Sequence, residues 1–147
     1  ARLVPGYTTT YDLAKAAIAA LWCCLVLAVP AMAADPVLGS WINPRGSVTV
    51  TTGACQDRLC GWVSHANAEA LADASDAGIP HLVGTTLLQD YRPKGPGHWA
   101  GRVYVPDMGR TFYSTIDQQG PDQLKISGCI LGGLFCRSQL WHRVKTG

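Results

Sequence analysis

Past Pro36 the chain falls into eight short β-favouring runs separated by Gly, Pro and Asp, and only one stretch among them carries a helical pattern. The runs are Leu38–Asn43, Gly46–Thr51, Arg58–His65, Gly84–Tyr91, His98–Val105, Arg110–Ile116, Gln123–Gly128 and Ser138–Val144. The connections Asn43-Pro44-Arg45-Gly46, Pro106-Asp107-Met108-Gly109 and Gln119-Gly120-Pro121-Asp122 supply the fixed or positive φ that a tight reversal needs. Neighbouring strands are therefore expected to pair as antiparallel hairpins. A meander of eight strands hides its edges most simply by closing, so the expected fold is all-β, a small eight-stranded antiparallel up-and-down barrel. A sandwich satisfies the same periodicity.

The exception is Ala66–Pro80, rich in alanine and lying between the third and fourth runs. It reads as two helical turns ending near Gly78, or as a flap, because short isolated helices are marginal in water. Within His98–Val105, alternation puts Trp99, Gly101, Val103 and Val105 on one side and His98, Ala100, Arg102 and Tyr104 on the other. The first side is the better candidate for the core.

The segment before this domain reads differently. Residues 16–29 are uncharged and apolar, follow Lys15, and precede Pro30 and the small-residue triplet Ala31-Met32-Ala33. A membrane span needs about 20 apolar residues, whereas this run of 14 fits the core of a secretory signal. Residues 1–33 are expected to be a signal peptide cleaved near Ala33-Ala34, with an uncertain N-terminal lead, and residues 34–147 a single domain. No stable membrane span remains after cleavage, and the product is expected in the periplasm or secreted. Lipid attachment is disfavoured, since Cys23 follows Trp22 and Cys24 follows Cys23, where a small residue is needed.

Without residues 1–33 the chain keeps 10 basic and 9 acidic residues, a net charge of +1. That balance, unclustered along the sequence, gives no nucleic-acid footprint. The remaining cysteines are Cys55, Cys60, Cys129 and Cys136, an even number in an oxidising compartment, which reads as two disulfides. Structural zinc pairs sit closer together and favour reducing compartments. Four cysteines allow three connectivities, of which Cys55–Cys60 with Cys129–Cys136 is favoured, because each bridge staples one hairpin or loop end. By chain entropy such short loops gain less than a long-range bridge, so that choice rests on geometry.

Catalytic chemistry leaves little trace. His65, His81, His98 and His142 have no ligand spacing, and no metal or cofactor is expected. Ser40, Ser47, Ser114 and Ser127 lie in expected strands without a nucleophile elbow. Asp90, Asp107 and Asp117 form no acid–base set with a histidine in sequence, and Asp107 reads as turn initiation after Pro106. Gly132-Gly133 lacks the lysine or following helix of a phosphate cradle. The apolar loop Ile130–Phe135 around it reads as a cap on one barrel mouth or, if exposed, as a contact for a partner.

Gly39-x-Trp41, Leu59-Cys60-Gly61, Trp99-x-Gly101-x-Val103-Tyr104-x-Pro106-x-x-Gly109, Gly128-Cys129 and Trp141-x-Arg143 together resemble the bacterial domain-of-unknown-function family 2147, over about Asp35 to Val144. That family is placed with the calycins, the lipocalin-like barrels, so the resemblance implies the closed fold. It further implies that Gly39, Trp41 and Arg143 are structural, with Arg143 of the last strand packed on Trp41 of the first to plug one end. A domain of 114 residues makes a small barrel beside a typical lipocalin.

Two functions are carried forward. The first is binding of a small apolar or amphipathic ligand at one mouth, with Trp62, Tyr104 and Tyr113 as candidate lining, although Trp62, Trp99, Tyr104, Phe112 and Tyr113 also read as ordinary core. The second is a filled barrel that serves as a protein-interaction module of the cell envelope through Ile130–Phe135. An enzyme is not expected.

Overall fold

Asn43 shows how the turns do their work: its side-chain oxygen accepts from the backbone N–H of Ser47 at 2.9 Å and of Val48 at 3.1 Å, which pins the first reversal. In the computed structural model, which describes residues 35–145, that turn joins β1 (Gly39–Ile42) to β2 (Val48–Cys55). There follow β3 (Arg58–Ala66), α1 (Ala68–Asp76), β4 (Thr86–Gly95), β5 (His98–Val105), β6 (Arg110–Gln118), β7 (Gln123–Ile130) and β8 (Phe135–Arg143). Single 3-10 turns, η1 (Pro106–Met108) and η2 (Leu131–Gly133), join β5 to β6 and β7 to β8.

Every strand pairs antiparallel with its neighbour in sequence, and β8 returns to β1 through Trp41–Arg143 and Ile42–His142. The barrel is thus closed, which decides against the sandwich. Ala66–Pro80 holds a helix: Asn67 caps it by accepting from Ala70 N–H at 2.9 Å, and Gly78 at φ 84° ends it, with Ile79 N–H donating to Ala74 at 2.8 Å. The expected signal peptide, residues 1–33, lies outside the described residues.

The bridges are Cys55–Cys60 and Cys129–Cys136, the favoured connectivity. The second changes the strand limits. Cys129 and Cys136 stand directly opposite each other, and pairing runs on to Ile130–Phe135, so β8 begins at Phe135 rather than Ser138 and the apolar loop is the tip of a hairpin.

The two ends of the barrel differ. At one end the chain before β1 crosses the opening and buries Val37, whose carbonyl accepts from the Trp41 indole at 3.0 Å and the Thr52 hydroxyl at 2.7 Å. The Arg143 guanidinium stands 4.2 Å from the centre of the Trp41 ring and donates to the carbonyls of Leu38 and Pro121, each at 2.9 Å, and of Pro36. This is the plug that the resemblance implied. Gly39 makes room for it: a Cβ there would collide with the Arg143 guanidinium, and φ is 146°.

Candidate functional site

Strand register sorts the inner wall across β5 to β8 into rungs. Nearest the plug come Gln118, Leu124 and Trp141, then Trp99, Ile116, Ile126 and Gln139. Here the barrel is filled, because Trp41, Ile116 and Leu124 are wholly buried and Trp99, Ile126 and Trp141 nearly so. The next rung is Gly101, Ser114, Gly128 and Arg137, and the last full one is Val103, Phe112, Ile130 and Phe135. Val105 and Arg110 form the rim beyond.

Burial falls away along these rungs. Ile130 is 50% exposed and Phe135 62%, although both stand on the face that carries the buried Leu124 and Trp141. On β8 only the last residues meet β1, and Phe135 to Leu140 are all exposed. The inner wall along the start of β8 therefore opens to solvent at the end opposite the plug, the end at which α1 and η1 also lie. That cup is the candidate site.

Its floor is polar. A bulge at Asp90, with φ 54°, brings both Leu88 and Tyr91 to the inside of β4. The Tyr91 ring lies against Gly101, where a Cβ would stand 2.7 Å from it, and its hydroxyl meets that of Ser114 at 2.7 Å. Both side chains are fully buried. Burial pushes the Tyr91 phenol well above the ordinary tyrosine range, opposed in part by the hydrogen bond to Ser114. Gln139 accepts from the Trp141 indole at 3.0 Å, which fixes the direction of its amide.

The aromatics singled out as lining are placed elsewhere. Trp62 lies on the outer face, its ring covering Gly53 across the β2–β3 pair. Tyr104 alternates with Val103 and also points outward, in the hydrophobic cluster that includes Ala70, Ala74 and Ile79 of the helical segment. Tyr113 is outward and 50% exposed. The structure does not bring these three together inside the barrel. Val103, Phe112, Ile130 and Phe135 line the cup instead. Of these, Phe112 was legible from Val103, its partner across the β5–β6 hairpin.

The carboxylates on strands face outward. Asp90 pairs with Arg102 at 2.7 Å and Asp117 with His98 at 2.5 Å. Among the described residues no three His, Cys, Asp or Glu side chains gather as a metal site.

Comparison with known proteins agrees with this architecture. A solved structure, protein HP1028 from the human pathogen Helicobacter pylori, which belongs to the lipocalin family, superposes with a TM-score of 0.56 at 13% identity, covering 74% of this chain and 83% of that one. At that identity the likeness concerns the fold. No curated protein matches the sequence. The family model described as "Uncharacterized protein conserved in bacteria (DUF2147)" matches residues 39–143, from the Gly39 that admits the plug to the Arg143 that forms it, and the chain belongs to that family.

Proposed function

We propose that this protein is an exported binder of a small amphipathic molecule, taken up in the cup opposite the plug. One observation carries the reading: the inward-facing residues of the last rung, Ile130 and Phe135 above all, are open to solvent in a barrel whose other half is filled. Such an apolar inner wall suits a ligand that buries an apolar body against it and keeps a polar part toward water. The lipocalin-like fold is compatible with this role, and the two disulfides fit an oxidising compartment such as the periplasm. A binding role is supported by the Ser114 hydroxyl being buried against Tyr91 and by the four cysteines being held in bridges.

Native mass spectrometry of protein released gently from the periplasm tests it. An added small-molecule mass that vanishes on denaturation is expected, and is expected to be lost in Val103→Trp, whose larger side chain fills the cup. The same bare mass in both proteins, together with no binding of apolar probes, would count against the cup.

A second reading rests on the hairpin tip, where Leu131 is 67% and Leu134 79% exposed. Apolar side chains presented together in this way suit a protein partner in the envelope. Leu131→Asp with Leu134→Asp is expected to abolish association with such a partner while leaving the fold and the cup intact; unchanged association argues against it.

A further inference from the structure

β8 is joined on its two sides over very different lengths. Toward β7 it pairs without interruption from Phe135 to His142, whereas toward β1 it pairs only through Ile42–His142 and Trp41–Arg143. The cause is local. The Asn43 side chain holds the backbone N–H groups of Ser47 and Val48, which turns the chain into β2 just where β1 would have to run on to cover the rest of β8. The barrel therefore keeps one free edge, Phe135 to Leu140, and all of it is exposed.

Backbone hydrogen bonds show which groups of that edge are free. Arg143 N–H donates to Asp122 on the β7 side at 2.9 Å, and Val144 N–H to Ser40 on the β1 side at 2.8 Å. Alternation along an unbroken antiparallel ladder then turns the N–H and C=O of His142, Leu140, Ser138 and Cys136 away from β7. The close Cα approach of Cys129 and Cys136, 4.1 Å, agrees, since it marks an opposed pair that exchanges no hydrogen bonds. His142 is met by Ile42. Cys136, Ser138 and Leu140 have no backbone partner among the described residues.

Exposed edges are normally blunted by lysine, proline, a bulge or a covering element. Phe135 to Leu140 carries no lysine, proline or bulge, and its one charge is Arg137. The α1 and η1 elements, with Glu69, Asp73, Asp76 and Asp107, stand at the same end but leave this stretch uncovered. Its free groups are symmetric about Ser138. A second copy related by a two-fold axis at Ser138 sets Ser138 against Ser138 and Cys136 against Leu140 in both directions, so every free N–H and C=O finds a partner. Such pairing ends by itself, at η2 on one side and at the residues already held by β1 on the other. A second copy shares those limits by identity, whereas an unrelated strand has no reason to match them. On the outer face this register lays the half-exposed Leu140 against the partner's Cys129–Cys136 bridge. On the inner face it puts Arg137 opposite Gln139, with the two arginines diagonal rather than opposed.

We propose that the protein forms a two-fold dimer by antiparallel pairing of β8 with β8 of a second copy over Cys136–Leu140. The pairing stands apart from what the cup takes up.

Sedimentation of the protein as released from the periplasm, over about 1–500 µM, tests it. One paired edge is small beside the interfaces of permanent dimers, so a monomer–dimer equilibrium in the micromolar range is expected. Ser138→Pro removes one edge donor and no bond to β7, and is expected to weaken the dimer about tenfold or more. Leu140→Glu is expected to do the same by setting a carboxylate against the partner's bridge, and thermal midpoints check that both variants fold. Leu131→Asp with Leu134→Asp lies outside the paired stretch and is expected to keep the dimer, which separates the edge from the hairpin tip. In the wild type, amide exchange followed by NMR is expected to slow at Ser138 and Leu140 as concentration rises, and to stay unchanged at Arg137 and Gln139, which already bond β7. A monomer at every concentration, a dimer indifferent to both edge variants, or slow exchange at Ser138 and Leu140 in the monomer overturns the proposal, the last because another segment then holds the edge.

Discussion

Arg143 does several jobs with one side chain, and each has its own physical basis. Its face lies on Trp41, and its nitrogens donate to three backbone carbonyls, those of Pro36 and Leu38 in the crossing segment and that of Pro121 in the β6–β7 turn. Arg143→Ala is expected to cost about 2–3 kcal/mol in chemical denaturation, from charge-assisted hydrogen bonds and the lost stacking together. Arg143→Lys recovers only part, since an ammonium keeps the charge without the fork. Gly39→Ala is expected to destabilise comparably, because its Cβ meets that guanidinium at a φ unfavourable to alanine. Tyr91 gives a residue-scale prediction in pH. Its phenol stays protonated in the fold above the value at which the unfolded chain releases its proton, so its contribution is in full below about pH 10 and declines above it, by up to about 1.4 kcal/mol per pH unit. Denaturation midpoints at pH 8 and pH 11 check this, with Tyr91→Phe expected to flatten the difference.

Elements are held by local chemistry that sits at their ends. The disulfides staple two hairpins at opposite ends of the barrel, Cys55–Cys60 across the β2–β3 turn beside the plug and Cys129–Cys136 across the β7–β8 hairpin at the cup. The chain-entropy model gives each short loop about 2–2.5 kcal/mol. Replacing either pair by serine is therefore expected to lower stability by a similar amount. Only the Cys129→Ser with Cys136→Ser protein is expected to lose ligand affinity, because its bridge alone adjoins Ile130 and Phe135. Equal loss of binding in the two double variants would mean that the cup responds to general loosening and not to its own hairpin. In the helix α1, Asn67→Ala is expected to cost about 1 kcal/mol in chemical denaturation through the lost cap.

At the scale of the molecule, strand order and the bridge pattern were legible from the spacing of turns and cysteines along the chain, whereas closure and the plug came from the resemblance to the family. What lines the cup was legible only in part. Alternation divides each strand into two faces but does not say how a face carries over between strands, and bulges at Thr49–Val50 and near Asp90 shift that relation. Trp62 is outward for this reason, whereas Tyr113 pairs with the outward Arg102 in an unshifted β5–β6 register and Tyr104 was already opposite Trp99 and Val103 in the sequence pattern. The hydroxyl pair of Tyr91 and Ser114 lies 23 residues apart and needs the bulge to meet, so no local signal announces it. The resulting division, a filled half that carries the core and an open half that does not, separates stability from binding. Phe135→Ser and Ile130→Ser remove side chains that are already half in water, so each is expected to shift stability by under about 1 kcal/mol. Leu124→Ala and Ile116→Ala, in the filled half, are expected to cost about 2–5 kcal/mol. Binding of an amphipathic probe is expected to follow the opposite order, falling most in the Phe135 and Ile130 variants. Thermal midpoints and probe affinities measured on the same four proteins decide the matter. If loss of binding simply tracks loss of stability, the open rung has no role of its own and the cup is a passive end of the barrel.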